Sequence, residues 1–169
     1  ALLGAGAMGF DQVAAVKAVR PIHTISIWNR DHAKAVALAE RVGGTVVDTP
    51  DEAVSGADIV TTVTPSTTPL FSITSLGPHA HINAIGAFTP AMIEVSNDIV
   101  RAAFCVVDDR EAAAREAGDL IQAGVEPDAE IGDLLEGFER PKGITVFKSV
   151  GIASQDVAAA ARALMNAEQ

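Results

Sequence analysis

The sequence predicts a doubly wound α/β fold: a mostly parallel sheet with helices on both faces. Three observations carry that reading. Short apolar runs alternate along the chain with longer amphipathic ones, the rhythm of strand–helix–strand units. The short runs are almost continuously apolar, as strands buried on both faces must be. A glycine-rich hexapeptide joins the first run to the first amphipathic stretch, where a tight strand-to-helix turn belongs.

The elements follow in order. Ala1–Leu3 reads as the end of a strand, so the chain is expected to open in mid-strand, with an N-terminal portion cut away or left out. Met8–Val19 is predicted helical, with Val13, Val16 and Val19 sharing a face. Thr24–Trp28 is rich in β-branched residues and predicts a strand. Asp31–Val42 predicts a helix, N-capped by Asp31 and closed by Gly43. Short strands are expected at Thr45–Val47, Asp58–Val63, His81–Ile85, Phe104–Val107 and Ile144–Phe147. Helices are expected at Pro50–Val54, Ile93–Ala103, Arg110–Ala123, Ile131–Glu136 and Gln155–Asn166. Val125–Glu130 is expected to be an exposed loop, and no internal repeat or low-complexity tract interrupts the series.

Length and charge bound the function. At 169 residues the chain has the size of one domain and can bury roughly 70% of its unfolded surface. A net charge of -10 disfavours nucleic acid and anionic membrane as partners. No apolar run has the length of a membrane span and no signal peptide is visible. Cys105 is the one cysteine, so no internal disulfide forms. Its neighbours Phe104 and Val106 suggest a core residue, and a reducing, cytoplasmic setting fits.

The hexapeptide is Gly4-Ala5-Gly6-Ala7-Met8-Gly9. In a Rossmann-type dinucleotide site, Gly4 permits the turn, Gly6 lets the backbone approach a pyrophosphate, and Gly9 lets helix and strand pack closely. The helix N-terminus then offers free N–H groups and a positive dipole end. In the NAD form of this site an acid near the end of the second strand bonds the ribose 2′-OH. Here the strand ends Ile27-Trp28-Asn29-Arg30. Asn29 does not repel a 2′-phosphate and Arg30 can pair with one, with Lys34 one helical turn on. NADP(H) is therefore expected over NAD(H), unless Arg30 is a solvated surface charge.

Several further segments carry a resemblance: Ala57-Asp58-Ile59-Val60, His81-Ile82-Asn83-Ala84-Ile85-Gly86, Ala117-Gly118-Asp119-Leu120 and Val146-Phe147-Lys148-Ser149-Val150-Gly151-Ile152-Ala153. With the glycine turn and Ile27–Arg30 they resemble the ornithine cyclodeaminase/mu-crystallin family over nearly the whole chain. The resemblance implies the cofactor domain of a two-domain subunit, usually a homodimer. The substrate and dimerisation domain, mostly N-terminal, is expected to be absent from this chain. It also implies that Ala7 and Met8 face the pyrophosphate and that Asn29 and Arg30 match the adenosine-phosphate site. Thr64, Pro65 and Ser66 lie where the family contacts the cofactor, though a plain loop would read the same. Ile85 and Val150 are either nicotinamide neighbours or ordinary core residues.

In the cyclodeaminase branch an Asp stands two residues before the proline that follows the Asn-Ala-Ile-Gly strand. Here that run is Gly86-Ala87-Phe88-Thr89-Pro90, and Phe88 cannot move a proton. The resemblance thus implies an NADP(H)-dependent oxidoreductase passing hydride to a cyclic ketimine carboxylate, of pyrroline- or piperideine-2-carboxylate type, or acting on a small amino acid. The alternatives are ornithine cyclodeamination and non-catalytic, NADPH-gated binding of a small molecule, as in mu-crystallin. His23, His32, His79 and His81 lack metal-like spacing, Asp108-Asp109 reads as a helix cap, and no nucleophile elbow surrounds Ser149. Asp119 has no role that the sequence defines.

Overall fold

In the computed structural model, which describes residues 1–137, 139 and 141–167, eight parallel strands form one sheet in the order β3-β2-β1-β4-β5-β8-β6-β7. They are β1 (Leu2–Leu3), β2 (Ser26–Trp28), β3 (Thr45–Val46), β4 (Ile59–Thr62), β5 (His81–Ala84), β6 (Phe104–Val107), β7 (Ala129–Glu130) and β8 (Thr145–Lys148). The helices are α1 (Gly9–Val19), α2 (His32–Val42), α3 (Pro50–Val54), α4 (Asn97–Ala102), α5 (Arg110–Glu116), α6 (Gly118–Ala123) and α7 (Ala153–Ala167).

Two neighbouring residues of β1 show how the layers arise. Successive strand side chains point to opposite faces. Leu2 joins Val13, Ile27, Ala35 and Leu38 under α1 and α2. Leu3 joins Val54, Val60, Ile82, Ile99 and Leu120 on the other side, with α3, α4 and α6. Strand order reverses at β1, which pairs with β2 on one side and β4 on the other. The carboxyl ends of strands flanking such a point form a crevice, and the turns that follow β1, β2, β4, β5, β6 and β8 all lie along that edge.

Local chemistry ends the helices, as expected for α2 and α5 and additionally for α3. Asp31 caps α2 through the N–H groups of Ala33 and Lys34, and Gly43 closes it with φ +72°. Thr49 caps α3 and Asp109 caps α5. Asp108, read from sequence with Asp109 as a cap, does something else, described below.

Five expectations give way in the structure, two of them to contacts made far along the chain. The helix expected at Ile93–Ala103 is confined to α4, because Ile93 pairs with Thr67 and Asp119 binds the N–H groups of Glu94 and Val95. The helix expected at Arg110–Ala123 breaks at Ala117, where ψ is 84°, into α5 and α6. The expected loop at Val125–Glu130 ends in β7, an edge strand anchored by Asp128, whose N–H donates to Cys105 O. Ile131–Glu136 holds only a 3₁₀ turn, Asp133–Glu136. On α1, Val13 is buried, while Val19 is 67% exposed and leaves the shared face.

Cys105 sits in the core with its Sγ 3.4 Å from the Val100 carbonyl. Burial, and after it the Asp128 carboxylate, push the thiol up to about 12. Since the thiolate is the nucleophile, native protein at neutral pH is expected to leave Cys105 unmodified by a maleimide, with labelling only in denaturant. Labelling of the native state within minutes would contradict this packing.

Candidate dinucleotide site

The glycine turn occupies the crevice at the reversal point. Gly4 has φ +112°, and a Cβ there would lie 2.7 Å from the Val63 carbonyl oxygen. A Cβ at Gly9 would meet Leu38 Cδ2 at 2.9 Å, so this glycine lets α1 sit close to its neighbours. Gly6 differs from both: nothing lies within 4 Å of the place its Cβ would take. Met8 is the N-cap residue of α1 and no side chain caps this helix. Among the described residues, none accepts from the backbone N–H of Gly6, Ala7 or Met8. An open face over Gly6 and unpaired N–H groups at a helix start suit a diphosphate.

Asn29 joins this turn to β2. Its Oδ1 accepts from Ala5 N at 3.0 Å and its Nδ2 donates to Asp31 O at 2.8 Å. Arg30 is exposed and has no hydrogen bond or ion pair among the described residues. Lys34 lies 3.9 Å from Asp31, both side chains being more than half exposed.

After β4 come Thr64, Pro65 and Ser66. Ser66 N donates to Thr64 Oγ1 at 3.3 Å, and Ser66 Oγ donates to Thr68 O at 2.6 Å. After β5, Ile85 is half-buried and packs on the cluster of Val13 and Val63. Phe88 is 53% exposed on the same edge. After β8, Val150 is half-buried against the other cluster. Its turn is held by Asp108, whose Oδ2 accepts from Ser149 Oγ, Val150 N and Gly151 N at 2.7, 3.2 and 3.0 Å.

Beneath these turns lies a buried charged group that sequence reasoning did not resolve: Glu94, Asp119 and Lys148. Lys148 Nζ is 3.0 Å from Asp119 Oδ2. Burial pushes the Glu94 carboxyl above its ordinary value, against the bonds from Thr64 and the charge of Lys148. A signal existed, because each stands inside an apolar stretch: Ile93-Glu94-Val95, Gly118-Asp119-Leu120 and Val146-Phe147-Lys148. A buried charge in such a place needs partners, but the sequence does not say which.

No group of three or more His, Cys, Asp or Glu among the described residues could hold a metal ion. His79 and His81 border a recess with Asp58 and Thr145, at the opposite, amino-terminal end of the strands. Among the described residues no helix is long and apolar enough to cross a membrane.

The sequence profile of the Ornithine cyclodeaminase/mu-crystallin family matches residues 1–168. Ketimine reductase mu-crystallin of Macropus fuliginosus is 39% identical over 164 residues, covering 94% of this chain and 52% of that protein. An archaeal alanine dehydrogenase dimer with bound NAD superposes with a TM-score of 0.86 at 28% identity, over 94% of this chain and 54% of that one. The Thermococcus litoralis Delta(1)-pyrroline-2-carboxylate reductase, in complex with NADH and L-proline, gives 0.81 at 27% identity, over 89% of this chain and 52% of that one. The chain thus spans about half the length of the relatives it matches.

Proposed function

The chain belongs to the ornithine cyclodeaminase/mu-crystallin family, and from that premise we propose that it is the dinucleotide-binding domain of an NADP(H)-dependent reductase of small cyclic ketimine carboxylates. The observation that carries this reading is the uncapped start of α1, with its unpaired N–H groups below the open face of Gly6. The names of its relatives, a ketimine reductase and a pyrroline-2-carboxylate reductase, support the substrate class.

In this reading Gly4, Gly6, Ala7, Met8 and Gly9 cradle the diphosphate, Asn29 and Arg30 receive the adenosine end, and Thr64, Pro65, Ser66, Ile85 and Val150 flank the nicotinamide. A dihydronicotinamide held there would supply hydride for the imine carbon of the substrate, and with a proton for the ring nitrogen the product would be a proline-like amine. Phe88 cannot move a proton, and the substrate domain that the resemblance implies is proposed to supply proton delivery and the substrate carboxylate contacts. The same domain is proposed to form a homodimer contact, in a cytoplasmic protein.

The preference for NADP(H) over NAD(H) rests on Asn29, which puts an amide where the NAD form has a carboxylate, and on the exposed Arg30 guanidinium. The Asp31 carboxylate nearby is engaged by the start of α2 and by Lys34. Calorimetry on the full-length protein is expected to give tighter binding of NADPH than of NADH. Arg30→Ser should weaken NADPH about tenfold, one charge-assisted hydrogen bond's worth, and leave NADH unchanged. Tighter NADH binding by the wild type would reverse the preference. A parallel assay follows NADPH oxidation with pyrroline- and piperideine-2-carboxylate. Ammonia release from ornithine would point instead to cyclodeamination, and no turnover with any cyclic imine would point to a binding protein.

A further inference from the structure

The turn that carries Phe88 is held from below on both sides. Glu94 Oε2 accepts from Gly86 N at 2.7 Å and from Ala87 N at 3.0 Å. Lys148 Nζ donates to the Ala87 carbonyl. Both peptide groups of Ala87 are therefore anchored. The other Glu94 oxygen accepts from Thr64 N at 2.6 Å and Thr64 Oγ1 at 2.8 Å, which ties in the turn after β4. Asp119 closes the circle, with Oδ2 against Lys148 and Oδ1 accepting from Glu94 N and Val95 N at 2.7 and 2.9 Å. The Lys148 and Asp119 side chains are 0% and 1% exposed.

Such a cluster is a poor way to stabilise a core. Well-packed apolar residues of similar volume generally do as well or better than a buried ion pair. Apolar residues cannot, however, hold three N–H groups and a carbonyl of two separate turns in fixed places. Gly86 fits the same purpose, since a Cβ there would lie 2.2 Å from Thr64 N and 2.7 Å from Glu94 Oε1. Absence of a side chain lets the two turns touch.

We propose that Glu94, Asp119 and Lys148 are positioning residues that lock the turns 64–66 and 86–88 together as the seat of the nicotinamide half of the dinucleotide. The adenosine half is left to the glycine turn and Asn29-Arg30. This rests on the cofactor reading above. It goes further in dividing the site into two halves with separate supports, only one of them built on buried charge.

The test compares two ligands on the full-length protein: NADPH, and 2′-phospho-ADP-ribose, which lacks the nicotinamide. Glu94→Gln keeps the shape of the side chain but removes two strong acceptor positions. Asp119→Asn/Lys148→Met removes the ion pair together with the bond to the Ala87 carbonyl, leaving Glu94 as the one acid of the cluster. In both variants the affinity for 2′-phospho-ADP-ribose is expected to stay within about twofold, while the added affinity of NADPH over it falls about tenfold, because a mis-set seat loses preorganisation. Equal losses for both ligands, or none for NADPH in a folded variant, would overturn the proposal. Should the variants not fold, hydrogen exchange on the wild type decides: the Gly86 and Ala87 amides should exchange far more slowly than those of Ala7 and Met8, and equal rates would refute the lock. If the wild type does not bind 2′-phospho-ADP-ribose, the cofactor reading itself fails.

Discussion

Gly118→Ala is expected to destabilise the protein by about 3 kcal/mol or more, at the upper end of what overpacking costs. A Cβ at this position would lie 1.9 Å from the Met92 carbonyl oxygen and 2.6 Å from that of Thr89. Both are backbone atoms, so no rotamer change relieves the clash and α6 must move. The next residue is Asp119, which binds Glu94, Val95 and Lys148. A shift of α6 therefore strains the buried charges as well. Urea unfolding followed by circular dichroism measures the effect, and Gly43→Ala is the control. Gly43 has φ +72° but open space around its Cβ position, so alanine there should cost only about 1 kcal/mol, the conformational term. Similar midpoints for the two variants would mean that α6 does not pack on residues 89–92 as described.

Lys148→Met is expected to cost about 3–5 kcal/mol, the loss typical of removing one partner from a buried ion pair. Methionine fills most of the volume, so the penalty comes from polar partners: the Asp119 carboxylate is left in the core with its Oδ2 facing no cation, and the Ala87 carbonyl loses its donor. Adding Asp119→Asn should recover part of that loss, because the amide oxygen can still accept from Glu94 N and Val95 N and the Asp119 charge is gone, while Glu94 and the Ala87 carbonyl stay without the ammonium. The non-additivity in a double-mutant cycle is the measurement. If the double variant is no more stable than Lys148→Met alone, the destabilisation arises from lost packing or from the lost bond to the Ala87 carbonyl, and the ion pair at 3.0 Å is incidental.

The two halves of the proposed site differ in how local their sequence determinants are. The proposed adenosine end reads off the sequence as a string: six residues from Gly4 to Gly9 after an apolar run, then Asn29-Arg30 after the next strand. The proposed nicotinamide end rests on the resemblance alone. Thr64, Ile85 and Val150 have no local pattern to mark them, and their supports lie elsewhere in the chain. Asp108 shows the difference within a pair. Asp109 caps α5 three residues on, as its position suggested, while Asp108 reaches 41 residues along to Ser149.

Periodicity and turn chemistry, which depend on contiguous residues, determined on their own the alternation of strands and helices, the glycine turn, the caps of α2 and α5, and the fold class. Tertiary contact alone decided where α4 begins, why α5 and α6 are two helices, that residues 129–130 are a strand, and that Lys148 meets Asp119 and a carbonyl 61 residues away. The physical reason is the cost of burying charge. An isolated Lys, Asp or Glu in an apolar run is unfavourable until a partner arrives, and which partner arrives is set by how the sheet stacks its strand ends.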